Sequence, residues 1–160
     1  MPKFRFTGDY YISPSGNDAN NGTTPDTPFA TIQAAVDAAG ATTSLTFVIG
    51  SGTYNEVLTR ASSANSNLTW TLQGDGEVIL NGNGVSQSNN VCISQYAEYW
   101  RNCTFNDLTF ANWLRGFNET NQNYFYPNTF NRCTFINITS MYAASTSATL
   151  SYNFCTFIKS

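Results

Sequence analysis

Three copies of one hexad limit what this chain can fold into. Trp100-Arg101-Asn102-Cys103-Thr104-Phe105, Phe130-Asn131-Arg132-Cys133-Thr134-Phe135 and Tyr152-Asn153-Phe154-Cys155-Thr156-Phe157 all read aromatic-x-x-Cys-Thr-Phe. Cys103 and Cys133 stand 30 residues apart and Cys133 and Cys155 stand 22 apart, the scale of repeat architectures. Within each copy Cys and Phe flank a Thr, which is the alternation of a half-buried strand. Such strands, returning at these intervals with no helix between them, bury their inner faces only by stacking on one another. The hexads therefore predict a parallel coil whose windings lie about 4.8 Å apart. Cys103, Cys133 and Cys155 are expected to form one internal column.

The 160 residues fit a single domain with ample core, expected to divide into an N-terminal segment with a capping helix over 1–44 and windings over 45–160. Charge is sparse, at 11% of residues with a net charge of −3, and Asn, Ser and Thr supply the polarity instead. The seven Lys and Arg residues are scattered, which argues against a nucleic-acid partner. No stretch approaches a membrane span. The opening Met1-Pro2-Lys3-Phe4-Arg5-Phe6 lacks the apolar stretch of a secretory leader, so neither a membrane partner nor export is expected.

Four cysteines invite a disulfide reading. Stacked slots would hold their Cβ atoms parallel at one strand spacing, which permits a disulfide without favouring it, so they read as buried free thiols. There is no His and no Cys-x-x-Cys pair, so neither a metal site nor a cofactor is expected.

Tyr10 to Ser13 reads as a short strand, followed by turn-rich sequence. Asn17 to Gly22 has the residue types of a calcium loop but lacks the closing bidentate Glu, and it reads as an Asx turn. Pro28 to Ala39 carries the one helical pattern, with Phe29, Ile32, Val36 and Ala39 on one face and Gly40 as its stop. Its N-cap is either Thr27, with Pro28 in the first turn, or Thr31. Leu45 to Ile49 and Leu68 to Leu72 read as strands, with Gly50 to Tyr54 and Gly74 to Gly76 as turns.

Tyr11-Ile12-Ser13-Pro14-Ser15-Gly16-Asn17-Asp18, Gly22-Thr23, Pro28 to Ala39, Phe47-Val48-Ile49 and Gly52-Thr53-Tyr54-Asn55-Glu56 together resemble the opening segment of the pectin-lyase-like right-handed parallel β-helix superfamily. The hexads are similar to the generic windings of that superfamily. The resemblance implies an all-β solenoid with one N-terminal capping α-helix. It also implies a choice of functions, since the superfamily holds polysaccharide lyases and hydrolases as well as virus spikes and fibres that bind or cut glycans.

Lyase chemistry of that kind would need carboxylates gathered on one face, and the ten carboxylates here do not recur at winding intervals. A hydrolase needs only two, about 5 to 10 Å apart, and Glu98 and Asp107 flank the first hexad as the candidate catalytic pair. Neither sits in a recognisable motif, and solvated turn positions explain both. The long interval between the first two hexads places its excess within Arg115 to Asn128, and long loops on stiff scaffolds carry function. Trp113, Phe117, Tyr124, Phe125 and Tyr126 offer flat amphipathic faces to a sugar ring or a protein. Asn-x-Thr triplets at Asn21, Asn67, Asn102, Asn118 and Asn137 follow from a composition rich in both residues.

The third hexad stops one strand into a winding, with no charge run or Pro to blunt its edge. The expected function is a non-catalytic structural and binding module of a larger assembly, a virion surface component such as a spike, fibre or capsid-associated protein. Either the windings continue past Ser160 in a longer protein or other subunits cover the last one, and glycan or protein would meet the aromatic loop. The alternatives are a polysaccharide lyase or glycoside hydrolase fragment, and an extracellular surface protein.

Overall fold

The computed structural model describes residues 3–40, 42, 44–59, 69–83, 91–94, 100, 102–117, 128–142 and 150–159. Short parallel strands dominate. The first part of the chain contains β1 (Tyr10–Ile12), α1 (Ile32–Ala39), β2 (Ser44–Tyr54), β3 (Leu58–Thr59), β4 (Thr69–Asn81) and β5 (Val91–Ser94). Three similar layers follow. The first holds β6 (Thr104–Asn106), β7 (Thr109–Ala111) and β8 (Arg115–Phe117), and the second holds β9 (Asn128–Asn131), β10 (Thr134–Ile136) and β11 (Ser140–Tyr142). The last layer holds β12 (Leu150–Asn153) and β13 (Thr156–Ile158).

Nine strands form one parallel sheet in the order β12-β9-β6-β4-β7-β10-β13, with β2 on β4 and β1 on β2, while β11-β8-β5-β3 form a second sheet. The large sheet curls into a half-barrel. The reason is local: Thr71 to Gln73 of β4 pair with β6, while Ile79 to Asn81 of the same strand pair with β7. One long strand thus hands over to two short ones with a bend between them.

That bend is made by left-handed residues. Asp107, Arg132 and Phe154 occupy one slot in successive layers with φ of 56°, 53° and 56°, and Asn112 and Asn137 occupy a second slot at 60° and 51°. A non-glycine residue there costs about 1 kcal/mol or more, least for Asn. Hydrogen bonds between layers offset the cost. The amides of Asp107 and Arg132 donate to the carbonyls of Asn131 and Asn153 at 3.0 and 2.8 Å, and those of Asn112 and Asn137 donate to Ile136 and Ile158 at 2.9 Å.

The expected turns at Gly50 to Tyr54 and Gly74 to Gly76 are corrected to strand, since β2 and β4 run through both and stay paired, with one register shift between Gly50 and Gly52. Gly74 allows this because a Cβ there would lie 2.2 Å from the Asp107 carbonyl oxygen, so the next layer's bend packs directly on its backbone. Gly76 adopts φ of 102°, which few other residues tolerate.

The register also corrects the repeat. Phe105 pairs with Phe130 and Phe130 with Tyr152, while Phe110 pairs with Phe135 and Phe135 with Phe157. The unit that stacks is Phe105-Asn106-Asp107-Leu108-Thr109-Phe110, then Phe130 to Phe135, then Tyr152 to Phe157. The first hexad is therefore out of step by five residues. Cys133 and Cys155 share a slot with Leu108, each preceding a paired threonine, whereas Cys103 precedes Thr104, which pairs with Thr129. The single column of three cysteines does not form. All four thiols are free, as expected.

Two aromatic columns fill the interior. Phe105, Phe130 and Tyr152 stack at 4.9 and 5.4 Å between centroids, and Phe110, Phe135 and Phe157 at 5.2 and 4.9 Å. The columns touch edge to face, as at Phe130 and Phe135, which is the other favoured ring geometry. Below them Phe47, Trp70 and Trp100 continue the core.

The helix is shorter than predicted and begins at Ile32, with Thr31 as its N-cap accepting the Ala34 amide. Pro28 and Phe29 cannot join it because the Phe29 amide donates to Tyr11 and its carbonyl accepts from Ser13, holding that segment extended beside β1. Asp18 then accepts the amides of Ala30 and Thr31. The helix buries Ile32, Ala35, Val36 and Ala39 and packs on β1, β2 and β3 at the end opposite the last layer.

Two outcomes check this packing. Phe130→Ala, inside the column, is expected to cost about 3–5 kcal/mol in denaturant unfolding. Phe157→Ala, at its exposed end, should cost no more than about 1 kcal/mol; equal costs would contradict the layered order. Cys92, Cys103 and Cys133 are buried and Cys155 is not, so a thiol reagent should modify Cys155 first and the other three only on unfolding.

Candidate functional site

Several carboxylates serve the fold. Glu56 accepts the amides of Ile32 and Gln33 at the start of the helix, at 2.9 and 2.8 Å. Burial pushes its carboxyl above the ordinary range, although those two amides pull the other way. Asp75 clamps the N-terminal segment, accepting from the Arg5 amide and side chain and from the Phe6 amide. The turn predicted at Asn17 to Gly22 consists of Asx turns, with Asn17 accepting from Ala19 and Asn21 from Thr23.

Asp107 sits at the bend of the first layer. Arg132, in the same slot one layer on, grips it with two hydrogen bonds of 2.7 and 2.8 Å, and Gln73 donates to it at 2.8 Å. The hydrogen bonds from Arg132 hold its carboxyl below the usual range against burial, helped by Gln73 and by the charges of Arg132 and Arg5. A carboxylate held ionised and gripped in this way is poorly suited to donating a proton. Its proposed partner Glu98 lies outside the described residues.

Of the residues proposed for an aromatic surface, Trp113 is placed in the interior. Trp113 is 1% exposed and its ring nitrogen donates to the Leu80 carbonyl at 2.9 Å, so it is corrected to a core residue. Phe117 ends β8, where its backbone pairs with Ile93 and Tyr142. Tyr124, Phe125 and Tyr126 lie outside the described residues.

The feature that stands out is the last layer. Phe154, Phe157 and Ile158 are 91%, 59% and 48% exposed, while their counterparts one layer below include the buried Phe135. A cavity of about 230 Å³ opens beside them, lined by Phe135, Ile138, Phe157, Ile158 and Lys159. β12 and β13 are the two free margins of the large sheet among the described residues.

Side-chain amides run up to this margin in two ladders. In the first, Asn153 donates to Asn131, Asn131 to Asn106, and Asn106 to Gln73, at 2.8, 2.8 and 3.1 Å. In the second, Asn137 donates to Asn112, Asn112 to Asn81, and Asn81 to Asn55. The sequence announced the first ladder through the Asn after each leading aromatic, a signal hidden by the out-of-step hexad.

The Asp107 ion pair gives a pH test. Because the folded carboxyl titrates below the unfolded one, the folded state binds fewer protons there. The resulting stability is in place above the ordinary Asp value of about 3.9 and is lost as pH falls through the depressed one. Asp107→Asn is expected to cost about 1 kcal/mol near neutrality, in thermal melts, with the difference from wild type shrinking below about pH 4. A difference that stays constant across that range would show the pair to be inert.

No family profile, curated protein or solved structure matches the chain.

Proposed function

We propose that the chain is a structural module of a larger assembly, a right-handed parallel β-helix whose last described layer is covered by further polypeptide. Every strand pairing between layers is parallel, and parallel crossovers are right-handed in nearly all known cases, which supports the finer architecture. The observation that carries the functional reading is the asymmetry of the two ends. Helix α1 buries its apolar face at one end, whereas Phe154, Phe157 and Ile158 face solvent at the other. Exposed apolar side chains beside unpaired strand margins favour association.

The setting that fits is a particle surface, a virion spike, fibre or capsid-associated component, with an extracellular surface protein as the alternative. Sparse charge and a neutral polar exterior suit contact with glycan or protein there. The ion pair at Asp107 weighs against a general-acid role for that residue. Asp107→Asn should leave glycan contact intact, and loss of a measured glycan cleavage in that variant would favour the enzyme.

The test of assembly is made in the native particle. Lys159, beside the open cavity, is expected to crosslink to a second polypeptide. Phe157→Asp with Ile158→Asp should abolish that crosslink and incorporation into the particle, while the variant's far-ultraviolet dichroism stays unchanged. Full incorporation of the double variant would defeat the proposal.

A further inference from the structure

Beside the bend of the large sheet, two arginines from distant parts of the chain share one cavity. It measures about 360 Å³ and is lined by Arg5, Phe6, Gly74, Gly76, Asp107 and Arg132. Asp75 holds Arg5, accepting its amide and, at 2.6 Å, its Nε. The two oxygens of Asp107 hold Arg132 at 2.7 and 2.8 Å. The charge of Arg5 also reaches Asp107, so both cations belong to one patch.

The four formal charges cancel in number but not in placement. The side chains of Asp75 and Asp107 are 3% and 32% exposed, against 68% for Arg5 and 57% for Arg132, so the face turned to solvent is cationic. The carboxylates are further occupied within the chain, Asp107 by Gln73 and Asp75 by the Phe6 amide. The guanidiniums are not used up. Arg132 spends Nε and Nη2 on Asp107, and Arg5 spends Nε on Asp75. Arg132 Nη1 and both Nη atoms of Arg5 therefore have no acceptor among the described residues, and each guanidinium carries five N–H donors. The ion pairs hold both side chains in place, so less freedom is lost when a ligand binds.

We infer that this cavity binds a tetrahedral oxoanion, phosphate or sulfate, free or as the ester of a larger molecule, between Arg5 and Arg132. A carboxylate has two oxygens in one plane, a set that a single guanidinium fork satisfies. A tetrahedral anion sends oxygens in separate directions and can take both arginines at once. Phe6 is 42% exposed at the same cavity, with the Arg5 guanidinium 5.6 Å from its ring centre. An organic group on the ester thus has a flat apolar wall to lie on. Nothing in this site depends on what covers the last layer.

The experiment titrates the full chain with one anion at a time at constant ionic strength, following backbone amide and arginine Nε–H resonances. Inorganic phosphate and sulfate are expected to shift Arg5, Gly74, Gly76 and Arg132 and to leave Arg115 and Lys159 unmoved. Methanesulfonate and acetate carry the same single charge, and the three-oxygen ion is expected to bind roughly fivefold more tightly, the scale of one further hydrogen bond. Arg5→Gln and Arg132→Gln should each weaken phosphate about tenfold, as expected for a lost charge-assisted bond. Because Arg132→Gln alone leaves Asp107 unpaired, Asp107→Asn with Arg132→Gln removes both charges together and should show the same loss, with the remaining amide resonances in place.

Phenyl phosphate binding more tightly than methyl phosphate, with the preference lost in Phe6→Ala, identifies an ester as the occupant. Equal binding of the two identifies the free ion. Absence of any shift, shifts spread equally over Arg115 and Lys159, equal affinity for acetate and methanesulfonate, or phosphate binding unchanged by either arginine substitution overturns the inference.

Discussion

Hydrogen bonds from the left-handed bends to the next layer are the interaction on which the rest depends. A short strand followed by a sharp bend is unfavourable alone, because Asp107, Arg132 and Phe154 are ordinary side chains in a conformation that favours glycine or asparagine. At Asp107 and Arg132 the layer above presents a carbonyl to the bend amide, and Phe154 holds the same conformation in the last layer. Each layer therefore stabilises the one beneath it, and the aromatic columns and amide ladders follow from the register so fixed. Stability of this kind is a sum over neighbouring layers, in which the terminal layer holds only half its contacts.

The sequence announced this layering more clearly than its phase. Recurrence of aromatic, Cys, Thr and Phe at intervals of a few tens of residues was enough to predict parallel stacking, and the strands are all parallel. The phase went wrong at Phe105, which closes the first hexad and also opens the unit that stacks. Leu108 hid the match because it fills the slot that Cys133 and Cys155 take in later layers. Burial selects volume and apolarity, so Leu and Cys are interchangeable there while a pattern of identities treats them as different. The glycine segments misled in a similar way, since Gly74 serves close packing of a paired strand against the Asp107 carbonyl and makes no turn.

The site was less legible than the fold. Trp113 looked like a surface aromatic because it precedes a polar loop, yet its ring nitrogen finds the Leu80 carbonyl in the interior, a contact between residues far apart in sequence. Asp107 looked free because Arg132 becomes its neighbour only through the stacking of two bends. The helix start was left open between Thr27 and Thr31 for a related reason: Phe29 belongs by pattern to the helical face, but its backbone is captured by β1, which leaves Thr31 as the cap. In each case a long-range backbone or side-chain bond overrode a local signal that was itself sound.

The ladders give the molecule a chemical polarity that shape alone would not. A stack of like strands could in principle accept another layer at either end, and apolar columns would be indifferent to which. Amides are not indifferent, because each has one donating and one accepting end, and repetition in one sense leaves donors pointing one way and acceptors the other. Here the column begins against Gln73, whose own nitrogen turns to Asp107 and the Gly74 carbonyl, so the donor end is satisfied within the chain. The acceptor end at Asn153 is the one that faces outward.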